Sequence, residues 1–308
     1  MEDLSTFQKL TNQVNNNNTM EFYITAIMLG LCLSSMAVGI FISMKIFNIP
    51  DITTDGSYTL GAAVTAVLLT NHWSAALVIP IIIGVGAVAG AITGLIHTRL
   101  KVEPLLAGIL TMTGLYSINL IILGRSNVPL INVATIFSHL HFFANSSYNE
   151  FTGAVVFIAV LVLIIAYVLR TDFGIAMRAT GNSPSMAGAQ GINNNKMKIL
   201  GLAMANALTA LSGYLVAQYQ NFTDINMGIG IVITGLGSVL IGDALIKWGN
   251  IRSIYGQLGM VLVGSVVFQL VLAVTLTLGV DPNLLKLVTA LFVLVVVSIP
   301  RLKTLGKA

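Results

Sequence analysis

Charge is what this sequence has least of. Only 8% of its 308 residues are Asp, Glu, Lys or Arg, against about 25% in soluble domains. Hydrophobic residues make up 56%, and the mean hydropathy is +0.90. A water-soluble chain this apolar would expose aggregating patches. The composition therefore excludes a soluble globular protein and points to an all-α polytopic membrane protein. The net charge of +4 does not imply nucleic-acid affinity, because the basic residues sit between apolar runs. Cysteine is nearly absent: Cys32 stands alone inside the first apolar run, which excludes a disulfide framework and a thiolate metal site. Leu31 is too bulky to precede a lipoprotein cleavage cysteine, and no basic n-region stands before it. A GxxxxGK[ST] loop is missing too, since Gly306-Lys307 lacks the upstream glycine and is followed by Ala308. The chain cannot cradle nucleotide phosphates that way; it is expected to be no enzyme and to hold no cofactor or metal itself.

What is present is a succession of apolar runs. Seven are clear: Ile24–Phe47, Ser74–Ile96, Leu105–Leu123, Phe151–Leu169, Met197–Tyr219, Ile254–Leu278 and Leu284–Ile299. Two are marginal, the short Tyr58–Thr70 and the glycine-interrupted Ile229–Ile246. The expectation is about eight to nine transmembrane helices, one short or broken, within residues 21–308. Residues 1–20 are polar and Asn-rich and read as a disordered tail. With the C-terminus placed in the cytoplasm, twelve of the fifteen Lys and Arg residues fall inside, leaving Lys9, Arg125 and Lys286 outside. That split follows the positive-inside rule. With all nine segments crossing, the N-terminus is outside. Without a crossing by Tyr58–Thr70 only the N-terminal side flips and Lys9 and Lys45 trade places, so the charges hardly test that segment. No apolar run carries Asp, Glu, Lys or Arg near its middle. Ion-coupled carriers commonly use such residues, so their absence argues against a secondary transporter, although backbone and hydroxyl oxygens can also hold sodium.

The longest polar interruption in the second half is residues 170–198, RTDFGIAMRATGNSPSMAGAQGINNNKMK. Ser183 suits an N-cap and Pro184 the first helical position. Gly191 suits the C′ position with positive φ. The enclosed segment, Pro184–Gln190, makes a helix of roughly two turns and about 10 Å. It is too short to cross a bilayer, which takes about 20 apolar residues. Asn193–Asn195 then offer caps for the next helix. A charged loop holding one chance helical turn is the plainer reading of the same residues.

TDFGIAMRATGNSPSMAGAQGIN resembles the cytoplasmic loop of permease subunits in the branched-chain amino-acid and ribose class of ABC importers, where R-A-x-G-x-N-P-x-x-A-x-x-x-G-I-N forms the coupling helix. Arg178, Ala179, Gly181, Pro184, Ala187, Gly191, Ile192 and Asn193 match, and Ser183 stands where the family often has Asn. DGSYTLGAA early in the chain agrees, and the segment order follows the family from about Glu21 to Arg301. The wording is nearest to permeases paired with tryptophan/tyrosine-type binding lipoproteins. The resemblance implies the transmembrane subunit of an ATP-driven importer for a small polar solute, an amino acid first. Arg178, Gly181, Ser183, Pro184, Ala187 and Gly191 would then form the ATPase-coupling element. It implies a bacterial plasma-membrane location with the 170–198 loop and the C-terminus in the cytoplasm. Partners would be a cytoplasmic ABC ATPase that binds ATP and Mg, an extracytoplasmic solute-binding lipoprotein, and a second permease subunit, as a homodimer. An ion-coupled secondary transporter and a non-transporting assembly protein are the alternatives from other classes.

Further features follow in chain order. Pro50–Ala63, PDITTDGSYTLGAA, interrupts the membrane pattern; Asp55 or Ser57 can cap a short helix there. A helix beginning at membrane depth would aim free N–H groups at a solute, while a capped interfacial loop explains the same residues. Ser57, Tyr58 and Thr59 are pathway candidates. Gly86, Gly90 and Gly94 form a stripe that fits tight packing within one subunit or a dimer seam. Asn119 fits interhelical hydrogen bonding or a polar conduit. The long loop Gly124–Glu150 holds Arg125, His139, His141, Phe142 and Phe143. Two histidines do not close a zinc site, so a surface receiving a binding protein or a plain solvated loop remains. Gln218 and Asn226 are candidates for the pathway mouth, and Asp243, Lys247 and Arg252 for the inner interface.

Overall fold

A computed structural model of the chain describes residues 2–131, 133–137, 146–281 and 284–305. All nine apolar runs are helical there. They form α1 (Glu2–Ile40, running on as a π-helical stretch Phe41–Ile46), α2 (Thr53–Thr70), α3 (Ala75–Arg99), α4 (Pro104–Leu123) and α5 (Ser146–Arg170). The polar loop follows as α6 (Asp172–Asn182) and α7 (Pro184–Ala189), and then come α8 (Asn194–Gln220), α9 (Ile231–Trp248), α10 (Ile254–Thr277) and α11 (Leu285–Leu305). Seven of these, counting Glu21–Ile46 as the first, are long and apolar enough to cross a membrane. The glycine-rich α9 is among them; α2 and α11 are the remaining two apolar segments, α11 with a shorter apolar stretch Leu285–Val296. The fold class is therefore the expected one, an all-α polytopic membrane protein.

Two stretches differ from the sequence reading. The Asn-rich tail, expected to be disordered, is helical backbone continuous with α1; extending an existing helix avoids the costly nucleation that opposes an isolated one. The polar loop holds two helices rather than one. Thr171 is the N-cap residue of α6 and Asp172 lies in its first turn, where a carboxylate favours the positive end of the helix.

The bundle is built around α8, buried along nearly all of Gly201–Gln218 and packed against α1, α2 and α3. With water absent, helix association rests on close packing and interhelical hydrogen bonds, and both are present. The glycine stripe of α3 faces α8. A Cβ on Gly86 would lie 2.8 Å from the Asn206 carbonyl oxygen, one on Gly94 2.8 Å from Ile199 Cα, and one on Gly90 would collide with the Leu202 carbonyl. Of the two uses open to that stripe, it serves packing within the chain. The hydroxyl of Ser35 on α1 donates to the Leu208 carbonyl at 2.7 Å, and that of Ser212 on α8 donates back to the Cys32 carbonyl at 2.9 Å. Tyr214 donates to the Ala75 carbonyl at 3.0 Å, which ties α8 to the start of α3. The outer helices α4 and α5 keep apolar faces exposed, with Ile118, Ile121, Leu163 and Ile164 outward, as helices in contact with lipid do. At one end of the bundle β1 (Asn127–Pro129) pairs antiparallel with β2 (Phe222–Asp224), Val128 opposite Thr223. The opposite end carries α6 and α7.

The stripe predicts a contrast on one helix. Gly90→Ala should cost about 1–3 kcal/mol through overpacking and lower the melting midpoint of the purified protein. Gly84, with no neighbour within 4 Å of an added Cβ, should accept Ala with a change of at most about 1 kcal/mol, toward greater stability. Equal melting shifts for the two variants would remove the stripe's packing role.

Candidate functional site

The chain breaks its membrane pattern between Asn48 and Ile52, and the polar residues that follow are buried. α2 starts at Thr53, five residues before the apolar run that the sequence marks. Ile52 is the N-cap residue and makes no side-chain cap bond, and neither Asp55 nor Ser57 serves this helix start as expected. Asp51, just before Ile52, accepts from Thr53 N–H through Oδ1 at 2.9 Å. The other oxygen, Oδ2, accepts from Asn206 Nδ2 on α8 at 2.7 Å, and Asn206 Oδ1 accepts from the Ser57 hydroxyl at 2.7 Å. Asp51, Ser57 and Asn206 are all buried. Asp55 serves a different helix: its two oxygens accept from Gly230 N–H and Val232 N–H, each at 2.9 Å, at the start of α9. Two helix N-termini thus meet here, each with a carboxylate on its orphan N–H groups. Asp51 and Asp55, which precede the apolar run starting at Tyr58, are both buried in the bundle, with their carboxyl oxygens engaged by helix starts and by Asn206.

Ser57, Tyr58 and Thr59 point in three directions, as consecutive helical residues about 100° apart must. Ser57 is taken by Asn206. Tyr58 lines an open cavity of about 370 Å³ between α1, α2, α8 and α10, at the β1–β2 end. Gln220, Asp224, Asn226 and Gln269 give that cavity its polar groups, and Leu33 and Met227 part of its apolar wall. Its volume falls in the range of small-molecule sites, which run from about 300 Å³ upward, and the mix of a few polar groups in an apolar lining is typical of them. Thr59 and Asn119 share a second, much smaller space of about 20 Å³ with Asp55 and Tyr116. Asn119 donates to the Gly56 carbonyl at 3.1 Å, while its Oδ1 is buried without a partner. A space of that size holds one water. Gln218 belongs to neither cavity: its Oε1 accepts from Ile136 N–H at 2.8 Å and its Nε2 donates to the Tyr214 carbonyl, so it anchors the loop after β1.

At the opposite end α7 forms a small platform. Pro184 opens it, and Gly191 closes it at φ +81°. Ile192 N–H reaches the Ala187 carbonyl and Gly191 N–H the Gly188 carbonyl, both at 3.0 Å, which is the Schellman arrangement. The helix ends at Ala189, with Gln190 as C-cap. Ser183 occupies the N-cap position without a side-chain cap bond. Asn194 supplies the tie instead, donating to the Pro184 carbonyl at 2.6 Å and accepting from Thr180 at 3.2 Å. Asn193 caps α8 through Lys196 N–H. Ala187 is buried, whereas Pro184, Ser185, Met186 and Ala189 are exposed, Met186 by 67%. Gly181 on α6 lies on the π-helical end of the first span, where a Cβ would collide with the Ile46 carbonyl. Arg178 lies apart from the platform's outer face and lines a crevice beside that same π-helical stretch. Lys45 from that stretch and Lys247 both pair with Asp243, at 2.6 and 2.8 Å.

Residues 138–145, with His139, His141, Phe142 and Phe143 of the expected binding-protein surface, lie outside the described residues. No group of three or more His, Cys, Asp or Glu arranged to hold a metal occurs among the described ones.

Over residues 22–298 the chain matches the family described as branched-chain amino acid transport system / permease component. It is 39% identical over 264 residues to a tyrosine transport system permease protein of Clostridioides difficile, with 86% of each chain covered. An uncharacterized protein of Rickettsia prowazekii is 31% identical over 281 residues, 91% of this chain and 98% of that one. The ribose import permease protein RbsC of Haemophilus influenzae is 26% identical over 235 residues, 74% of this chain and 71% of its own. No solved structure matches the chain.

Sequence reasoning missed three contributors: Asp51, the role of Asp55 in trans, and Asn194. Nothing in local spacing points from residue 55 to residue 230, so only the fold reveals that pair. The bond is testable. Asp55→Ala leaves two partly buried N–H groups without an acceptor, at a cost of up to about 1–3 kcal/mol each, and Asp55→Asn, with one acceptor oxygen, should fall between it and wild type. Amide exchange at Gly230–Val232 should accelerate in the same order. Unchanged exchange there in Asp55→Ala would show that the carboxylate does not hold the start of α9.

Proposed function

The chain belongs to the branched-chain amino acid transport system permease family, whose members are transport subunits and not enzymes, and from that premise we propose that it is the membrane-spanning half of an ATP-driven amino-acid importer in a bacterial plasma membrane. The observation that carries the proposal is α7. It is a rigidly closed helix with Ser185, Met186 and Ala189 outward, tied by Asn194 to α6 and α8. A short helix braced this way transmits a push instead of absorbing it. In this reading the α6–α7 end is cytoplasmic and α7 docks on a separate ABC ATPase, which binds the ATP and Mg. Gly191 sets the helix end, Pro184 its start and Ala187 its buried side, while Gly181 passes motion from α6 to the first span. Ser183 contributes backbone only.

The cavity at the β1–β2 end is then the outward vestibule, where an extracytoplasmic binding lipoprotein releases solute. Tyr58 and Asn226 keep their pathway assignment there. Asp224 suits the ammonium group of an amino acid, and the apolar wall suits its side chain. Tyrosine is the first solute to test, because a tyrosine permease is among the chain's relatives. Thr59 and Asn119 lie beside the path around a water-sized space, and Ser57 and Gln218 hold its walls. The assembly is two copies of this chain with two ATPases. A loaded binding protein shifts the permease only by preferring one of its conformations.

The deciding experiment is reconstitution in liposomes with the ATPase and binding protein of the same system. ATP-dependent solute uptake is expected, and uptake by the chain alone under an ion gradient would overturn the proposal in favour of a secondary carrier. Met186→Asp should leave folding intact and reduce ATPase capture and uptake about tenfold, the equivalent of about 1.4 kcal/mol of docking energy. Ala187→Arg is the wrong probe, since its buried side chain would unseat α7 whatever α7 does.

A further inference from the structure

Beside α6, at the end of the bundle opposite the vestibule, lies a crevice of about 330 Å³ whose lining includes Lys45, Arg178, Asn182, Arg252 and Ile254. Its three cations come from three elements: the π-helical end of the first span, α6, and the turn before α10. Lys45 is matched by Asp243 at 2.6 Å. Arg178 and Arg252 have no carboxylate within ion-pair distance among the described residues, where the only ion pairs are those of Asp243. Arg178 makes only a long Nε donation, 3.4 Å, to the Gly174 carbonyl in its own helix. Two guanidinium groups thus share a polar crevice without a counter-charge. Guanidinium forks are suited to bidentate recognition of phosphate oxygens.

The surroundings indicate what kind of phosphate. Trp248 is 88% exposed four residues before Arg252, and Tyr255 is exposed three residues after it. Tyr167, near the end of α5, is 69% exposed, and Arg170 lies over the Tyr255 ring at 4.5 Å. Trp and Tyr gather at the level of lipid headgroups, so these rings place Arg252 at a bilayer interface. Basic pockets between membrane helices at that level are suited to anionic headgroups. We propose that this crevice binds one phosphate-class anion, the headgroup of an anionic phospholipid, through Arg178 and Arg252, with Asn182 as a neutral donor. The bound headgroup would bridge α6 to α10 and the first span. It would act where the coupling loop meets the bundle, apart from the α7 platform and the vestibule.

Native mass spectrometry of the purified protein, exposed to mixed micelles of phosphatidylglycerol and phosphatidylcholine with identical acyl chains, tests this without ATPase or solute. Phosphatidylglycerol should be retained in preference, and the preference should fall about fivefold for each arginine removed in R178Q and R252Q. R178K and R252K keep the charge but lose the planar fork, and should show a preference between those of wild type and of the Gln variants. R125Q, at the other end of the molecule, is the charge-matched control and should retain phosphatidylglycerol like wild type. A parallel melt in lipid-free detergent with inorganic phosphate separates the sources: stabilisation equal to that by phosphatidylglycerol, and lost in R178Q/R252Q, assigns the site to a free anion and overturns the lipid. Equal retention of the two lipids, or a preference untouched in a folded R178Q/R252Q protein, overturns the site altogether. Loss of ATPase capture in those variants with no lipid preference in wild type would assign the arginines to the partner protein. None of these results bears on whether the chain is a transport subunit.

Discussion

The fold depends on how closely three helices approach the backbone of α8. In a bilayer the hydrophobic effect does not drive one apolar helix against another, because lipid is as apolar as leucine. Contact has to be gained by packing density and by hydrogen bonds, and both grow as backbones approach. Gly39 of α1, Gly61 of α2 and Gly90 of α3 each place bare backbone against a carbonyl of α8, those of Ala205, Ala210 and Leu202. These three carbonyls lie within about two and a half turns of one another. α8 is thereby enclosed on three sides, and the reciprocal serine bonds with α1 fix its height. These close approaches oppose sliding of α1, α2 and α3 along α8, whereas α3 and α8 border an apolar cavity of about 310 Å³ on the side of α5.

Such tight enclosure leaves the chain to manage its own broken helices. α2 begins inside the bundle and α9 at a partly buried position beside the open cavity, and an N–H group left without an acceptor at either start is costly. The solution is two carboxyl groups whose oxygens accept from the helix starts and, for Asp51, from an amide. Asp51 is local to the helix it caps, whereas Asp55 sits on one broken helix and caps the other. That reciprocity joins α2, which packs on α8, to α9, which packs chiefly on α10. The same geometry accounts for the glycines before α9. Gly230 adopts φ +81°, which lets its N–H and that of Val232 turn toward one carboxylate. Gly228 allows the chain to lie directly on the Asp55 carbonyl.

Much of this was legible in the sequence, and the illegible part has a common cause. The nine apolar runs announced the nine helices, because length and hydropathy are local properties. The C′ role of Gly191 was legible too, since a Schellman ending is encoded within six residues. The glycine stripe at 86, 90 and 94 declared a close contact without naming the partner. By contrast, the start of α2 was hidden because Asp51, Thr53, Thr54 and Asp55 form a polar run that locally resembles a loop. Asp51, Thr53 and Asp55 find their partners in Asn206, Thr93 and the start of α9, far along the chain, and Thr54 bonds back to the Asp51 carbonyl. α6 was hidden for a related reason. Its buried positions, Gly174, Met177 and Thr180, include one large apolar side chain, too weak a stripe to stand out from a loop. Among the six pathway candidates, Tyr58 and Asn226 meet at one cavity and Thr59 and Asn119 at another. Ser57 and Gln218 turned inward to hold the walls, a division that polarity alone could not have made.

The two ends of the molecule are connected by the same helix. Asn193 caps α8 beside the α7 platform, Asn206 meets the buried carboxylate at its middle, and Gln218 holds Ile136 behind the vestibule. α7 is tied to the start of α8 through Asn194, and the neighbouring α6 lies on the end of the first span where Gly181 meets Ile46. Leu33 of the first span and Val216 of α8 both line the cavity at the β1–β2 end. Under the proposed coupling, a tilt at the α7 end would be carried along the roughly 40 Å of α8 to the cavity that this helix lines together with the first span, α2, α9 and α10.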